Sequence, residues 1–324
     1  MALPLLMIVV GLILLVWSAG IFVDGAAMIS KYMGVPPLLI GMLVIGFGTS
    51  APELAVSAIS ALQNNPGVAL GNAYGSNIAN IGLILGITAI IKPIAVESNI
   101  LKRELPILFG VTMLALLLIL DGEFSRLDAL VQLLTFAGVM VWMARQTMRQ
   151  KQDSLEREIN AELEEKAVSR DQALIWLLAG LLLLIGSSRA LVWGAVALAQ
   201  NLGVSDLIIG LTVIAVGTSL PELASAIAAA RKGQDDLALG NILGSNLFNT
   251  LMVVGLAGAI QPMSIPREIL HRDWPLMAAL TASMFLLGAG GNQQPSSIRR
   301  THGLTLLAIY FAYTAYLIHS VTVA

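Results

Sequence analysis

The chain has 324 residues, of which 57% are apolar and 12% charged, with a formal net charge of −2 and a mean hydropathy of +0.83. Soluble globular domains are about a quarter charged, so the composition points to a polytopic helical membrane protein, and its charge suggests no nucleic-acid partner. With no Cys, disulfides and thiolate metal sites are excluded.

Ten apolar segments follow one another. The first runs from about Pro4 to Ile21, with room to continue toward Met28. Its N-terminal flank, Met1-Ala2-Leu3-Pro4, lacks a basic region and a small-residue cleavage pattern, so Leu5 to Ile21 reads as a retained span and not a signal peptide. The second spans Pro37 to Leu62, the third Val68 to Ile91, the fourth about Leu105 to Leu120 and the fifth about Leu127 to Ala144. From Arg145 to Asp171 mixed charges at helical spacing read as a solvated helical linker. Five more segments follow, at about Gln172–Gln200, Leu207–Ala230, Leu237–Ile260, Trp274–Gly288 and Thr301–Ile318. The units are therefore 1–145, the linker 146–171, and 172–324. Trp274, Tyr310, Tyr313 and Tyr316 read equally well as interfacial anchors and as ordinary packing aromatics. Asp24 and Arg189 read as residues near the interface, Arg189 by snorkelling, with a gating role as the alternative.

The loops after the odd-numbered segments hold 14 Lys and Arg, and the others hold 3. That split places the linker in the cytoplasm and both termini outside. In a bacterium the expected location is the inner membrane.

Inside the second segment stands Gly48-Thr49-Ser50-Ala51-Pro52-Glu53-Leu54-Ala55. A carboxylate near mid-bilayer costs about 3 kcal/mol on insertion scales, and Pro52 removes a backbone donor. The motif recurs as Gly217-Thr218-Ser219-Leu220-Pro221-Glu222-Leu223-Ala224. A shift of 169 residues aligns Gly34–Gly86 with Gly203–Gly255 without gaps, with 24 identities over 53 positions. A second matched block joins Gly71-Asn72-x-x-Gly75-Ser76-Asn77-x-x-Asn80 to Gly240-Asn241-x-x-Gly244-Ser245-Asn246-x-x-Asn249. Five spans per half is odd, so the second half enters the membrane from the opposite side. The expected fold is an all-α membrane protein of ten transmembrane helices in two inverted-topology repeats, with broken motif helices framing a midplane site. Helices that merely pack well would explain recurring Gly and Ala, but not a recurring Glu that is costly to insert.

The site chemistry follows from the donors. Glu53 and Glu222 balance one divalent ion. Thr49, Ser50, Thr218 and Ser219 lie three and four residues before each Glu, on the same helical face. Ser76 and Ser245 add hydroxyls, Asn80 and Asn249 amide oxygens, and the Pro kinks free carbonyls near Gly46 and Ala215. An all-oxygen set without Cys or a central His suits hard cations such as Ca²⁺, Na⁺ and Mg²⁺. Asn72, Asn77, Asn241 and Asn246 read as caps and helix glue, and the glycines of the second block as close-packing positions.

These motifs, with the odd-span duplication, resemble the calcium/cation antiporter superfamily, and within it the prokaryotic sodium/calcium exchangers. The resemblance implies that Glu53 and Glu222 bind Ca²⁺ and help bind Na⁺. It implies hydroxyl ligands at Thr49, Ser50, Ser76, Thr218, Ser219 and Ser245, and carbonyl ligands at Gly46 and Ala215. The archaeal exchangers carry an acid at the central polar position of the second half. Here both Asn80 and Asn249 are Asn, so the site lacks that third carboxylate. The expectation is Ca²⁺/Na⁺ exchange by alternating access, with segments 1 and 6 sliding on a core of segments 2, 3, 7 and 8. No cofactor and no enzymatic activity are expected; the lipid bilayer is the surrounding partner, and one chain suffices to build the site. Rival readings are a Ca²⁺/H⁺ exchanger on the same fold, a passive cation channel and an intramembrane hydrolase.

Overall fold

A computed structural model describes residues 2–35, 48–96, 100–149, 168–287 and 297–323. Gly46, the first part of the second apolar segment and most of the expected linker lie outside the described residues.

The described chain is helical apart from short connections. Its helices are α1 (Ala2–Tyr32), α2 (Ala51–Leu62), α3 (Pro66–Ile91), α4 (Leu105–Ile119), α5 (Arg126–Arg149), α6 (Arg170–Leu202), α7 (Asp206–Thr218), α8 (Leu220–Lys232), α9 (Asp235–Ile260), α10 (Trp274–Leu287) and α11 (Arg300–Val323). Their ends follow local chemistry. Pro52, Pro66 and Pro221 sit in first turns, where a missing N–H breaks no ladder. A reciprocal capping box between Ser169 and Gln172 starts α6, and Gly203, left-handed at φ 66°, ends it.

Among the described residues six helices are long and apolar enough to cross a membrane, or seven when α7 and α8, bent by 43° at their junction, count as one broken span. The apolar windows of α3 and α9 are each 78% buried inside the protein, against 28% for α1 and 33% for α6. So α3 and α9 form the centre, and α1 and α6 present apolar side chains outward.

The pairing of α1 with α6 depends on glycine. A Cβ built on Gly11 would lie 3.0 Å from the Leu191 nitrogen, and one on Gly180 would lie 2.6 Å from the Phe22 nitrogen. Gly25 meets Leu177 and Gly194 meets Ile8 in the same way. The helices therefore run antiparallel, backbone against backbone. Shifting each residue by 169 turns one contact of each couple into the other, so the helix pair carries an internal two-fold relation.

Two short antiparallel clips join the connections: β1 (Ile94–Ala95) with β4 (Ser297–Ile298), and β2 (Glu123–Phe124) with β3 (Met263–Ser264). Since β1 and β3 are repeat equivalents, the clips obey the same symmetry. The first is reinforced by Lys92, whose Nζ lies 3.0 Å from Asp235 Oδ1. The Ala95 N–H also donates to Asp235 Oδ2 at 2.9 Å.

The structure bears on two of the sequence readings. Trp274, Tyr310 and Tyr313 are buried, and only Tyr316 is exposed. Three of the four aromatics therefore pack inside; the Tyr313 hydroxyl donates to buried Asp273 at 2.7 Å, and Arg272 Nε donates to the same oxygen at 2.7 Å. Arg189 is exposed and sits in the middle third of α6, not at an end.

Candidate functional site

The two motifs meet at the protein's centre. Glu53 lies in the first turn of α2 and Glu222 in the first turn of α8, and both side chains are completely buried. A tight turn at Ser50 (φ −88°, ψ 10°) precedes α2, and its equivalent at Ser219 (φ −85°, ψ 10°) precedes α8.

That turn redirects the hydroxyls. On a continuous helix Ser50 would face its own Glu53. Instead Ser50 Oγ donates to Glu222 Oε1 at 2.9 Å, and Ser219 Oγ donates to Glu53 Oε1 at 3.0 Å. Each half supplies a hydroxyl to the carboxylate of the other. Ser76 and Ser245 stay with their own halves, Ser76 Oγ at 3.4 Å from Glu53 Oε1 and Ser245 Oγ at 3.3 Å from Glu222 Oε1. Ser50 also reaches Ser245 Oγ at 3.0 Å. The threonines turn to asparagines: Thr218 Oγ1 donates to Asn72 Oδ1 at 3.0 Å, and Thr49 Oγ1 to Asn241 Oδ1 at 3.3 Å.

The central asparagines open the π-helical stretches of α3 (Asn80–Leu85) and α9 (Asn249–Val253). Such wide turns disturb the backbone ladder and concentrate at functional positions. Asn80 Nδ2 donates to Asn246 Oδ1 at 2.9 Å, and Asn77 Nδ2 to Thr250 Oγ1 at 2.8 Å, so α3 and α9 cross antiparallel through a seam of amides. Reading Asn77 and Asn246 as helix glue fits this seam; Thr250 carried no signal in the motif alignment, because its repeat equivalent is Ile81.

Ala215 departs from expectation. Its carbonyl is not freed by Pro221, because it accepts the Ser219 N–H at 3.1 Å; a proline frees the carbonyl four residues before it, here Gly217. The Ala215 oxygen also lies 3.3 Å from Thr218 Oγ1 and 3.5 Å from Ser76 Oγ. Its counterpart Gly46 falls outside the described residues.

Buried polar atoms normally find partners. Here Glu53 Oε2, Glu222 Oε2, Asn80 Oδ1 and both amide atoms of Asn249 are buried without one. Four of these five atoms are oxygens. Each glutamate thus has one oxygen held by hydroxyls and one left over. An oxygen-only donor set around two carboxylates matches hard-cation chemistry. Among the described residues no three His, Cys, Asp or Glu gather as a metal cluster.

An internal two-fold relation, broken helices and paired buried carboxylates are the architecture of a cation-transporting membrane protein. The comparison with known proteins makes this specific: residues 3–145 and 172–319 match the family described as sodium/calcium exchanger protein, and the chain belongs to that family. The inner membrane protein YrbG of Escherichia coli (strain K12) is 42% identical over 300 residues, covering 91% of each chain. The sodium/calcium exchanger MaX1 of Methanosarcina acetivorans is 30% identical over 347 residues, covering 97% of this chain and 98% of its own. Among solved structures, the sodium-calcium exchanger NCX_Mj superposes with a TM-score of 0.64 at 30% identity, covering 97% of this chain and 98% of that one. The protein is a membrane antiporter of the sodium/calcium exchanger type.

Proposed function

We propose that this chain exchanges Ca²⁺ for Na⁺ across the cytoplasmic membrane by alternating access, with Glu53 and Glu222 as the shared ion ligands. The observation that carries the reading is the pair of buried glutamates, each cross-bonded by a serine of the other half and each with one buried oxygen lacking a partner. Ser50, Ser76, Ser219 and Ser245 line the ion, with Thr49 and Thr218, and the Asn80 and Asn249 oxygens stand at its edge. The Ala215 carbonyl joins the set, and the family resemblance implies a matching carbonyl ligand at Gly46. Two carboxylates balance one Ca²⁺ or two Na⁺, so competition for the same oxygens couples the opposing fluxes. The sliding body is the glycine-packed pair α1 and α6, moving against α2, α3, α7, α8 and α9.

The ten apolar segments give a ten-span plan, with repeats at 1–145 and 172–324 joined by a linker at 146–171, and the 14-to-3 division of basic residues puts that linker in the cytoplasm. Both termini then face the periplasm, in keeping with the inner-membrane name of YrbG.

The test is ion-gradient-driven uptake of radiolabelled Ca²⁺ into proteoliposomes, with Na⁺, K⁺ and H⁺ varied separately. Uptake is expected under an outward Na⁺ gradient at fixed pH and is expected to vanish in the Glu53→Gln/Glu222→Gln double variant. Wild-type uptake by that variant sinks the two-glutamate site. Uptake driven by a pH gradient without Na⁺ selects Ca²⁺/H⁺ exchange on the same oxygens.

A further inference from the structure

Around Asn72 and Asn241 the two half-sites differ by one buried hydroxyl. Within the aligned repeat, Ser57 of α2 corresponds to Ala226 of α8. In the first half, Asn72 Nδ2 donates to the Glu53 carbonyl at 3.0 Å and to Ser57 Oγ at 2.9 Å. Ser57 passes its own proton to the Ala69 carbonyl at 3.2 Å. Asn72, Ser57 and Thr218 have no exposed surface. In the second half, Asn241 is only half-buried, and its Nδ2 reaches the Glu222 carbonyl at 3.4 Å. Residue 226 offers no hydroxyl.

This difference bears on ion binding through the threonines. A hydroxyl has one proton and two lone pairs. It presents a lone pair to a cation when its proton points elsewhere, and a fixed acceptor for that proton holds it in that orientation. Thr218 gives its proton to Asn72 Oδ1 at 3.0 Å, and Thr49 gives its own to Asn241 Oδ1 at 3.3 Å. Each arrangement needs the amide held with its oxygen toward the threonine. Two acceptors, Glu53 O and Ser57 Oγ, hold the Asn72 NH₂ in place, and turning the amide over would set its oxygen against the Glu53 carbonyl. Asn241 has one such acceptor, at longer distance.

We propose that Asn72 and Asn241 are positioning residues that keep the Thr218 and Thr49 lone pairs facing the ion, and that Ser57 locks the first of them while Ala226 leaves the second adjustable. The proposal rests on the two-glutamate ion site proposed above. One half-site then holds fixed geometry through the cycle, and the other accommodates the exchange of one ion for another.

Five variants test this in proteoliposomes, scoring half-saturating Ca²⁺ separately from maximal rate, with detergent-purified protein checked for folding by thermal unfolding. Ser57→Ala is expected to raise half-saturating Ca²⁺ about threefold to tenfold, the effect of one hydrogen bond, with maximal rate within twofold of wild type. Ser57→Thr, which keeps the hydroxyl, restores the wild-type value. Ala226→Ser is expected to lower half-saturating Ca²⁺ and slow the maximal rate, because it locks the adjustable half. Asn72→Ala is expected to weaken Ca²⁺ more than Asn241→Ala. Should Asn72→Ala fail to fold, Ser57→Ala and Ala226→Ser decide the matter alone. Wild-type half-saturation in both would overturn the proposal. If those two are silent while the double glutamate variant is inactive, only this inference fails; if the double glutamate variant still transports, the ion site itself fails.

Discussion

Asn249 is the residue whose side chain is most plainly unfinished: both amide atoms are buried and unpartnered, whereas its repeat equivalent Asn80 is tied to Asn246. Asn249→Asp would add a third carboxylate to the proposed ion site. In a buried site, where charges interact strongly, it is expected to lower half-saturating Ca²⁺ by about tenfold in the uptake assay. An unchanged value would put Asn249 away from the ion. The cluster of half-buried Arg272 with buried Asp273 and Tyr313 makes a second prediction. Asp273→Ala removes the acceptor that Arg272 and Tyr313 share and should cost about 1–3 kcal/mol; Tyr313→Phe removes one hydrogen bond and should cost about 1 kcal/mol. Thermal unfolding in detergent would rank the two. At this scale the sequence was readable where expense marked the buried pair: a Glu beside a Pro in an apolar run, twice. It was silent on which hydroxyl serves which carboxylate, because the turns at Ser50 and Ser219 send them across the molecular centre. It was equally silent on Trp274, whose burial depends on neighbours distant in the chain.

At the level of elements, glycine spacing is what lets α1 and α6 touch. Gly180→Val would drive two methyls into the Phe22 backbone, and overpacking of this kind costs about 1–3 kcal/mol or more. Gly186 lies on the same helix with nothing near its would-be Cβ. Gly186→Ala should therefore stabilise α6 by up to about 1 kcal/mol, through helix propensity. A fluorescence-detected melting series would show opposite shifts for the two variants; equal shifts would contradict the packing account. The long helices were evident from apolar length alone. The π-helical stretches at Asn80 and Asn249 were not, since a wide turn keeps the same residue types as a regular one and reveals itself only in hydrogen bonding. The bend between α7 and α8, by contrast, was announced by Pro221.

For the whole molecule, orientation follows from basic residues and span parity together. The chain has no Cys, so a single introduced thiol reports its side without background. Gln63→Cys, between α2 and α3, is expected to react with an impermeant maleimide in intact cells. Ser154→Cys in the linker is expected to react only after permeabilisation, and the reverse pattern would refute the parity argument. One feature reaches beyond transport. The contacts between α1 and α6 map onto themselves under the repeat: Gly11 on Leu191 becomes Gly180 on Phe22. An interface with that property is isologous, the kind two identical subunits form about a two-fold axis. A five-helix ancestor inserted in both orientations would have met its own copy through this surface before any fusion joined the halves. Divergence such as Ser57 against Ala226 became available only afterwards, when each half was encoded separately and could change without its twin.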